Sequence, residues 1–354
     1  MKIRLAILES DTIYLERIVA YFDSNYADKL ELYSFSNMDI AISCLEKSKI
    51  DVFLADDYFD INIKNIPDRC GFAYLVDSMN IESIRGEKAI CKYQKAELIY
   101  KQVLSIFSEK TSVVSGVNFD ETNKSKVIAF LSPAGGTGCS IAAAACAKNL
   151  ASKNKKVLYL NFEMFGDSNI FFESEGNGTF SDIIFAIKSK KGNLPLKLES
   201  LVKHDSSGVY YYTAANMALD MAELTVAEIK KLITDIKLFC GYDYIIIDMD
   251  FSLEKTNIGV LCECNSIVIV SDGSTVCNGK IVRAIESLNV IDEQYDYKLL
   301  LRCSLLYNRF SSVTSQKIVI DGIKELGGIK RYEGYTVQQL LDELSSLSVF
   351  DCFA

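Results

Sequence analysis

The sequence has no tryptophan, a single histidine and only 3 prolines among its 354 residues. The scarcity of proline, combined with 49% hydrophobic residues, argues against a disordered chain and predicts compact regular structure. No apolar run reaches the roughly 20 residues that a membrane-spanning helix needs. We therefore expect no insertion into a membrane.

The sequence also lacks the cysteine and histidine spacings that are typical of metal sites and disulfide frameworks. The 11 cysteines include no C-x-x-C pair, and the only histidine, His204, lies far in sequence from the nearest cysteine group, Cys262 and Cys264. This spacing argues against a zinc site and against a disulfide framework. No signal peptide is visible at the N-terminus, so we expect reduced cysteines in a cytoplasmic protein. His204 is expected to be a solvated loop residue.

Positive charge is in short supply. The 38 basic residues are outnumbered by 47 acidic ones, which gives a net charge of −9. Such a protein is poorly suited to binding DNA or an anionic membrane by bulk electrostatic attraction. We therefore expect no nucleic-acid partner.

What the sequence does contain is two stretches of alternating strand and helix patterns. They are separated by a polar segment without periodicity, EKTSVVSGVNFDETNKS, which predicts a linker at residues 109–125. Alternating strands and helices indicate an α/β fold with mainly parallel sheets. The predicted domains are therefore 1–108 and 126–354.

In the first domain, acidic and basic side chains directly follow or end the predicted strands. Glu9 follows an apolar strand that runs from Ile3 to Leu8, Asp56 ends the segment IDVFLAD, and Lys92 follows a short apolar run. The carboxyl ends of parallel strands form the functional edge of such sheets. These residues are therefore expected to lie together, although acidic residues can also follow strands in any α/β sheet without a shared function.

This arrangement resembles the flavodoxin-like receiver domain of response regulators. The resemblance implies that Asp56 accepts a phosphoryl group, that Glu9 contributes to Mg²⁺ binding and that Lys92 contacts the phosphoryl group. Two departures weaken the match: Ser10 stands where a second metal-binding acid is expected, and Tyr93 replaces the usual proline. Ser78 is the candidate for the family's hydroxyl residue.

The second domain opens with a glycine-rich loop between a strand and a helix. The strand Val127–Leu131 is followed by SPAGGTGCS at residues 132–140 and then by an alanine-rich helical segment. Glycines allow backbone N–H groups to approach phosphate, and a helix N-terminus favours anions. The segment resembles the P-loop of the ParA/MinD family, with Ala134 and Cys139 in place of the two lysines of that loop.

Three later segments match the ParA/MinD family in the same order along the chain. Asn161 and Glu163 follow the next strand and match the two acidic positions of the family's switch segment. Asp248 ends the strand YDYIIID and matches the Walker B aspartate, and Asn308 in LLYNRF matches the adenine-reading asparagine.

The resemblance implies a site for ATP and Mg²⁺ in a P-loop NTPase fold. Ser140 and Asp248 would hold the metal ion, and Glu163 is a weak candidate for the catalytic residue. The nucleotide-binding residues implied by the match are Gly135, Gly136, Thr137, Gly138, Cys139, Ser140, Ile141, Asn308 and Arg309. Because phosphoryl transfer depends on positive charge around the phosphates, the absence of both lysines predicts weak or no hydrolysis.

A receiver-like domain joined to an atypical ParA/MinD-like domain resembles the TadZ/CpaE proteins of Flp/Tad pilus assembly. This resemblance implies an ATP-bound homodimer that marks a cell pole and recruits the pilus secretion machinery. The alternatives are a DNA-partitioning ATPase of ParA type, a membrane-cycling ATPase of MinD type and a phosphorylation-controlled response regulator. The C-terminal segment TVQQLLDELSSLSVFDCFA has no basic residue, so we expect it to pack on the domain or on a partner instead of on a membrane.

Overall fold

The computed structural model describes residues 2–111, 125–190 and 192–354. It divides into two compact units. The first unit is formed by the N-terminal part of the chain together with the later segment Ser189–Leu201. The second unit is formed by the rest of the chain. Both units have the α/β architecture that the sequence predicts.

A six-stranded sheet lies at the centre of the first unit, in the order β2-β1-β3-β4-β6-β5. Its strands are parallel except for the antiparallel pair β5–β6. The N-terminal elements are β1 (Ile3–Leu8), α1 (Thr12–Tyr26), β2 (Leu30–Phe35), α2 (Met38–Lys47), β3 (Val52–Asp56), β4 (Gly71–Val76), β5 (Ser83–Ile84), β6 (Glu87–Cys91) and α3 (Ala96–Lys110).

The local sequence explains where these elements begin and which faces they bury. The Asp11 side chain accepts the backbone N–H groups of Ile13 and Tyr14 and so caps α1. Every residue of β3 and β4 is buried, because helices cover both faces of a parallel sheet. This topology brings the carboxyl ends of β1, β3, β4 and β6 to one edge of the sheet.

The second unit is built on an eight-stranded sheet in the order β14-β13-β12-β7-β11-β8-β10-β9, parallel except for β9–β10. The remaining elements of the chain are β7 (Lys126–Leu131), α4 (Cys139–Ser152), β8 (Val157–Asn161), α5 (Phe180–Ser189), α6 (Leu194–Leu201), β9 (Lys203–His204), β10 (Val209–Tyr211), α7 (Ala218–Ala222), α8 (Val226–Phe239), β11 (Tyr244–Asp248), α9 (Lys255–Glu263), β12 (Ser266–Ser271), α10 (Thr275–Tyr295), β13 (Cys303–Phe310), β14 (Lys324–Lys330) and α11 (Val337–Ser345). Of these, α6 belongs to the first unit.

Helix α4 is rich in alanine because it is covered on both sides. Its residues from Ala142 to Ala147 are completely buried and pack in one core cluster with side chains of the sheet and of the C-terminal segment. Leu341, Leu344 and Phe350 of that segment belong to the same cluster. The expectation that the C-terminal segment packs on the domain is therefore confirmed.

The domain boundaries and the position of His204 are the remaining expectations that concern the fold. Helix α3 extends to Lys110, and residues 112–124 of the predicted linker lie outside the described residues, so the boundaries 1–108, 109–125 and 126–354 stay a prediction. The packing of Ser189–Leu201 with the first unit was not predicted. His204 is exposed as expected, but it lies in β9 and its ring contacts Tyr210, so its placement in a loop was wrong.

Among the described residues, no helix is long and apolar enough to cross a membrane.

Candidate functional site

The predicted receiver residues converge at the carboxyl edge of the first sheet. Glu9 and Asp56 are buried, and Lys92 is only 8% exposed. The Lys92 Nζ lies 3.4 Å from Glu9 Oε1 and 3.6 Å from Asp56 Oδ1. It also lies 3.0 Å from Asp77 Oδ1, a carboxylate at the end of β4 that the sequence analysis did not single out. The ammonium group is thus shared among three acidic side chains.

Ser10 is the residue that most changes the chemistry of this edge. Its hydroxyl donates a short hydrogen bond to Asp56 Oδ2, and its backbone N–H lies 3.3 Å from the same oxygen. The other oxygen of Asp56 accepts the N–H of Tyr58 at 3.2 Å. Ser78, the candidate hydroxyl residue, accepts the N–H of Asn80 in its own turn. Both oxygens of the predicted phosphoryl acceptor therefore have hydrogen-bond donors within the protein.

Burial and neighbouring groups shift the pKa values of Glu9 and Asp56 in opposite directions. Burial, followed by the neighbouring Asp56 carboxyl group, raises the pKa of Glu9 to about 7. Burial opposes ionisation of Asp56, but the neighbouring Glu9 carboxyl group and the hydrogen bonds from Ser10 hold the pKa of Asp56 below its ordinary value. Glu9 Oε2 has no hydrogen-bond partner. The pair is therefore suited to hold one proton near neutral pH while Asp56 stays ionised.

In the second unit, the glycine-rich loop lies between the end of β7 and the start of α4. Gly136 and Gly138 have φ angles of 79° and 74°, in the left-handed region that glycine adopts without strain. A Cβ placed on Gly135 or on Gly136 would meet no atom within 4 Å. The loop backbone is therefore open on the side of these two glycines, next to the positive end of the dipole of α4.

The side chains at the two lysine positions carry no positive charge. Ala134 is buried, and Cys139 is half-buried as the first residue of α4. Burial raises the pKa of the Cys139 thiol well above its ordinary value, and the nearby carboxylates of Asp248, Glu163 and Asp250 raise it further. Cys139 is therefore a neutral thiol next to three acidic side chains.

Two of those acids make contacts that the sequence did not predict. The Tyr159 hydroxyl on β8 donates a hydrogen bond of 2.7 Å to Asp248 Oδ2, while Asp248 Oδ1 has no partner. The Ser140 hydroxyl donates to Glu163 Oε1 at 3.1 Å. Burial, followed by the charge of Glu163, raises the pKa of Asp248 to about 8. Burial also raises the pKa of Glu163.

The predicted switch segment is held by side-chain contacts to its backbone. Asn161 Oδ1 accepts the N–H of Glu163 at 2.8 Å, and Asp250 Oδ2 accepts the N–H of Met164 at 2.9 Å. Neither Tyr159 nor Asp250 had a predicted role. Asp250 was visible two residues after Asp248, at the end of a strand, but nothing in the local pattern marks Tyr159.

The predicted nucleotide-binding residues Asn308 and Arg309 contact the loop from the end of β13. Asn308 Nδ2 donates to the carbonyl oxygens of Thr137 and Gly138 at 3.0 and 2.9 Å. Arg309 has a φ of 55°, and its Nη1 donates to the Gly136 carbonyl at 2.7 Å. A side chain at Gly138 would collide with Asn308, since its Cβ would lie 2.5 Å from the amide nitrogen. The loop and the end of β13 are therefore packed as one structure.

A cleft of about 290 Å³ opens beside the switch segment. Asn161, Glu163, Phe165, Phe180 and Tyr212 are among the residues that line it. The structure thus brings four predicted residues, Glu163, Asp248, Asn308 and Arg309, next to the loop Gly135–Ser140. Ile141 lies in the first turn of α4.

Comparisons with known proteins agree with this arrangement. A family model described as a TadZ-like receiver domain matches residues 1–108, and a model described as an AAA domain matches residues 125–301. No curated protein matches the sequence. The ParA family ATPase from Chlorobium tepidum TLS is 21% identical with a TM-score of 0.51, and the match covers 65% of this chain and 98% of that one.

A chain of the MinC:MinD cell division complex of Aquifex aeolicus is 19% identical with a TM-score of 0.51, covering 64% of this chain and 93% of that one. At such identities the likeness establishes the fold alone. The fold and the loop define a receiver-like domain followed by a P-loop NTPase domain of ParA/MinD type. The AAA-domain model covers half of the chain, so the chain belongs to that family. Together with the TadZ-like receiver domain, this is the architecture of the TadZ/CpaE-type proteins.

Proposed function

We propose that this protein is an ATP-binding localisation and assembly factor for polar Flp/Tad pili, acting in the cytoplasm as an ATP-bound dimer. The observation that carries the proposal is the open glycine-rich backbone at the start of α4, on which both lysine positions are occupied by uncharged side chains. The first feature supports phosphate binding, and the second supports slow hydrolysis. The TadZ/CpaE-type domain architecture supports the role in pilus assembly.

The phosphates of ATP would bind along Gly135–Ser140. The loop backbone there has room for a ligand next to Gly135 and Gly136, and the N-terminus of α4 adds a favourable dipole. Asn308 and Arg309, which already contact the loop, would lie next to the nucleotide and hold the loop in shape. The adenine-reading role of Asn308 is carried over from the family resemblance.

Mg²⁺ fits the acidic side of the loop. Asp248 has one buried oxygen without a hydrogen-bond partner, and the Ser140 hydroxyl contacts the Glu163 carboxylate. Oxygen ligands of this kind suit Mg²⁺, which when bound would neutralise charge on the phosphates. Ser140 and Asp248 would hold the ion, and Tyr159 would fix the orientation of the Asp248 carboxyl group. A bound ion would also offset the repulsion between the charges of Glu163 and Asp248.

Hydrolysis is expected to be weak. The ammonium groups that usually neutralise the phosphates are replaced at Ala134 and Cys139, and loss of a charge-stabilising group of this kind typically costs about 10²–10³ in rate. The protein would therefore remain in the ATP-bound state for a long time, which suits a factor that marks a position and recruits partners.

Calorimetry with the full-length protein tests the binding step. We expect saturable binding of ATP in the presence of Mg²⁺, and a Ser140→Ala variant should lose about tenfold in affinity in Mg²⁺ because it lacks one oxygen ligand. Ser152→Ala at the other end of α4 is the matched control and should bind as the wild type does. Absence of heat and of a thermal shift at millimolar ATP would refute the proposal.

A further inference from the structure

The segment Ser189–Leu201 leaves the second unit and packs with the first. Helix α5 up to Lys188 precedes it and strands β9 and β10 follow it, and these parts of the chain belong to the second unit. The chain therefore passes between the units three times: once between residues 111 and 125, again after Lys188 and again after Leu201. We call Ser189–Leu201 the docking segment.

The docking segment donates a hydrogen bond to a backbone carbonyl group at the end of α3. The last four carbonyl groups of a helix have no partner within the helix, and the Ser108 carbonyl is one of those in α3. The Asn193 N–H donates to this carbonyl at 3.0 Å. A Cβ on Gly192 would lie 2.3 Å from the same oxygen, so only glycine allows this close approach. The Asn193 side chain also accepts the N–H of Leu196 and starts α6.

The apolar side of α6 completes the core of the first unit. Leu198 is fully buried, and Leu196 packs against the core cluster that contains Val103 and Phe107 of α3. Leu194 is 9% exposed. Removing side chains of this size from water stabilises the packed state more than the partly exposed ion pairs of α6 do. The apolar contact therefore supplies most of the attachment.

Charged groups give the contact its register. The Lys197 ammonium lies 2.9 Å from Ser105 Oγ and 3.8 Å from Glu109 Oε1, both on α3. Glu199 forms an ion pair of 2.5 Å with Lys29. These pairs are partly exposed, so they contribute less than the apolar contact but distinguish one alignment of α6 from another.

The docking segment is also directly continuous with the candidate nucleotide site. It follows α5 without a break in the chain, and Phe180 at the start of α5 lines the cleft beside Glu163. The Phe180 ring contacts the ring of Phe162 in the predicted switch segment, with centroids 5.9 Å apart. This ring contact joins the predicted switch segment to α5, whose far end is the start of the docking segment.

We propose that the docking segment is an internal interaction site through which the second half of the chain binds the α3 face of the receiver-like unit, and that this contact couples that unit to the nucleotide site. Two consequences follow. The α3 face around Ser105 and Ser108 is occupied by the protein itself, so an outside partner must displace the segment or bind elsewhere. Because coupling between two sites is reciprocal, releasing the segment must change the affinity for nucleotide.

Hydrogen exchange and nucleotide titration on the full-length protein test both consequences. Leu198→Asp places a charge in the apolar contact and should increase amide exchange in residues 192–201 and in the last turn of α3 by tenfold or more, while β1 and β3 keep their protection. The same variant should change the affinity for ATP by at least threefold. Phe185→Asp, at a position of α5 that is 74% exposed, is the matched control and should change neither quantity.

A charge reversal at the partly exposed Glu199–Lys29 pair provides a second test, which does not require the fold to accept a buried charge. Glu199→Lys should increase exchange in α6 by up to about fivefold because it faces Lys29, and Lys29→Glu added to it should restore the protection. Unchanged exchange in α3 in the Leu198→Asp variant would overturn the docking. Faster exchange with an unchanged ATP affinity would overturn the coupling.

If the wild type binds no ATP, the proposed function fails, and coupling is then measured by exchange in residues 161–168. Faster exchange there in the Leu198→Asp variant supports the coupling, and unchanged exchange overturns it.

Discussion

Ala134 and Cys139 determine how much positive charge the glycine-rich loop can offer to a phosphate. We predict that wild-type protein binds ATP but releases phosphate close to the background rate, and that Ala134→Lys combined with Cys139→Lys raises the rate by about tenfold or more. A lysine at 139 would lie at the start of α4, next to the carboxylates that now surround the thiol. Phosphate release in single-turnover and steady-state assays is the measurement.

Ser152→Lys at the far end of α4 is the control for a general effect of added charge. Rapid hydrolysis by the wild type would show that another cation replaces the lysines. Lys280 and Arg309 are two basic residues to consider: Lys280 is exposed on α10, whereas Arg309 contacts the loop through the Gly136 carbonyl. A double-lysine variant that binds ATP tightly but stays inactive would instead place the defect in the switch segment, at Asn161 and Glu163.

Glu9 makes the stability of the first unit depend on pH. Its pKa in the folded protein, about 7, is higher than the ordinary value of 4.5, so the folded state holds its proton more strongly than the unfolded state. The resulting stabilisation is complete below pH 4.5 and is lost as the pH rises through 7. Glu9→Gln should remove this loss and raise the free energy of unfolding at pH 8 by about 1–3 kcal/mol relative to wild type.

Urea unfolding of the first unit at pH 5 and at pH 8, followed by amide exchange in β1 and β3, measures this difference. Glu16→Gln, at an exposed position of α1, is the control. An equal effect of Glu9→Gln at both pH values would contradict the prediction. The Asp56 carboxyl does not confuse the result, because its lowered pKa affects stability only in more acidic solution.

At the scale of elements, the C-terminal segment is part of the core that holds α4. Phe350 is completely buried in the cluster that contains the alanines of α4, and the Phe353 carbonyl accepts a hydrogen bond of 2.7 Å from the Tyr244 hydroxyl. Phe350→Ala should therefore lower the free energy of unfolding by about 3–5 kcal/mol. It should also weaken ATP binding, because α4 begins at the glycine-rich loop.

Chemical denaturation of the second unit checks this value, with Cys352→Ala in the same segment as the control because Cys352 is exposed. A loss below about 1 kcal/mol would show that the segment covers α4 without supporting it.

At the scale of the whole molecule, the family resemblance implies a two-fold dimer formed mainly by the second domain. The residues that line the cleft beside the switch segment include two exposed apolar side chains, Met164 at 37% and Phe165 at 88%. We predict that ATP with Mg²⁺ shifts the protein to a dimer, and that Phe165→Asp reduces the dimer fraction at least fivefold. Light scattering with and without ATP measures the change.

Leu238→Asp, on the exposed part of α8, is the control and should leave the ATP-dependent dimer intact. A strict monomer under both conditions would rule out the dimer, whereas a dimer that is insensitive to Phe165→Asp would move the interface away from the cleft.

Two kinds of information were available from the sequence alone. The alternation of strands and helices predicted both sheets, because periodicity and capping act over a few residues. Parallel strands place their carboxyl ends at one edge, so the convergence of Glu9, Asp56 and Lys92, and of the glycine-rich loop with Asp248 and Asn308, could be expected before the structure was known. The uncharged residues at 134 and 139 were also visible directly.

The contacts that set the chemistry of both sites came only from the tertiary structure. The bond from Tyr159 to Asp248, the bond from Ser10 to Asp56 and the docking of Ser189–Leu201 on α3 each join residues that are far apart in the chain. No local pattern marks such pairs, because their formation depends on strand register and on which helix face is left uncovered. The sequence thus determined the two folds and the position of the loop. Tertiary packing decided which polar groups at the two sites have hydrogen-bond partners within the protein.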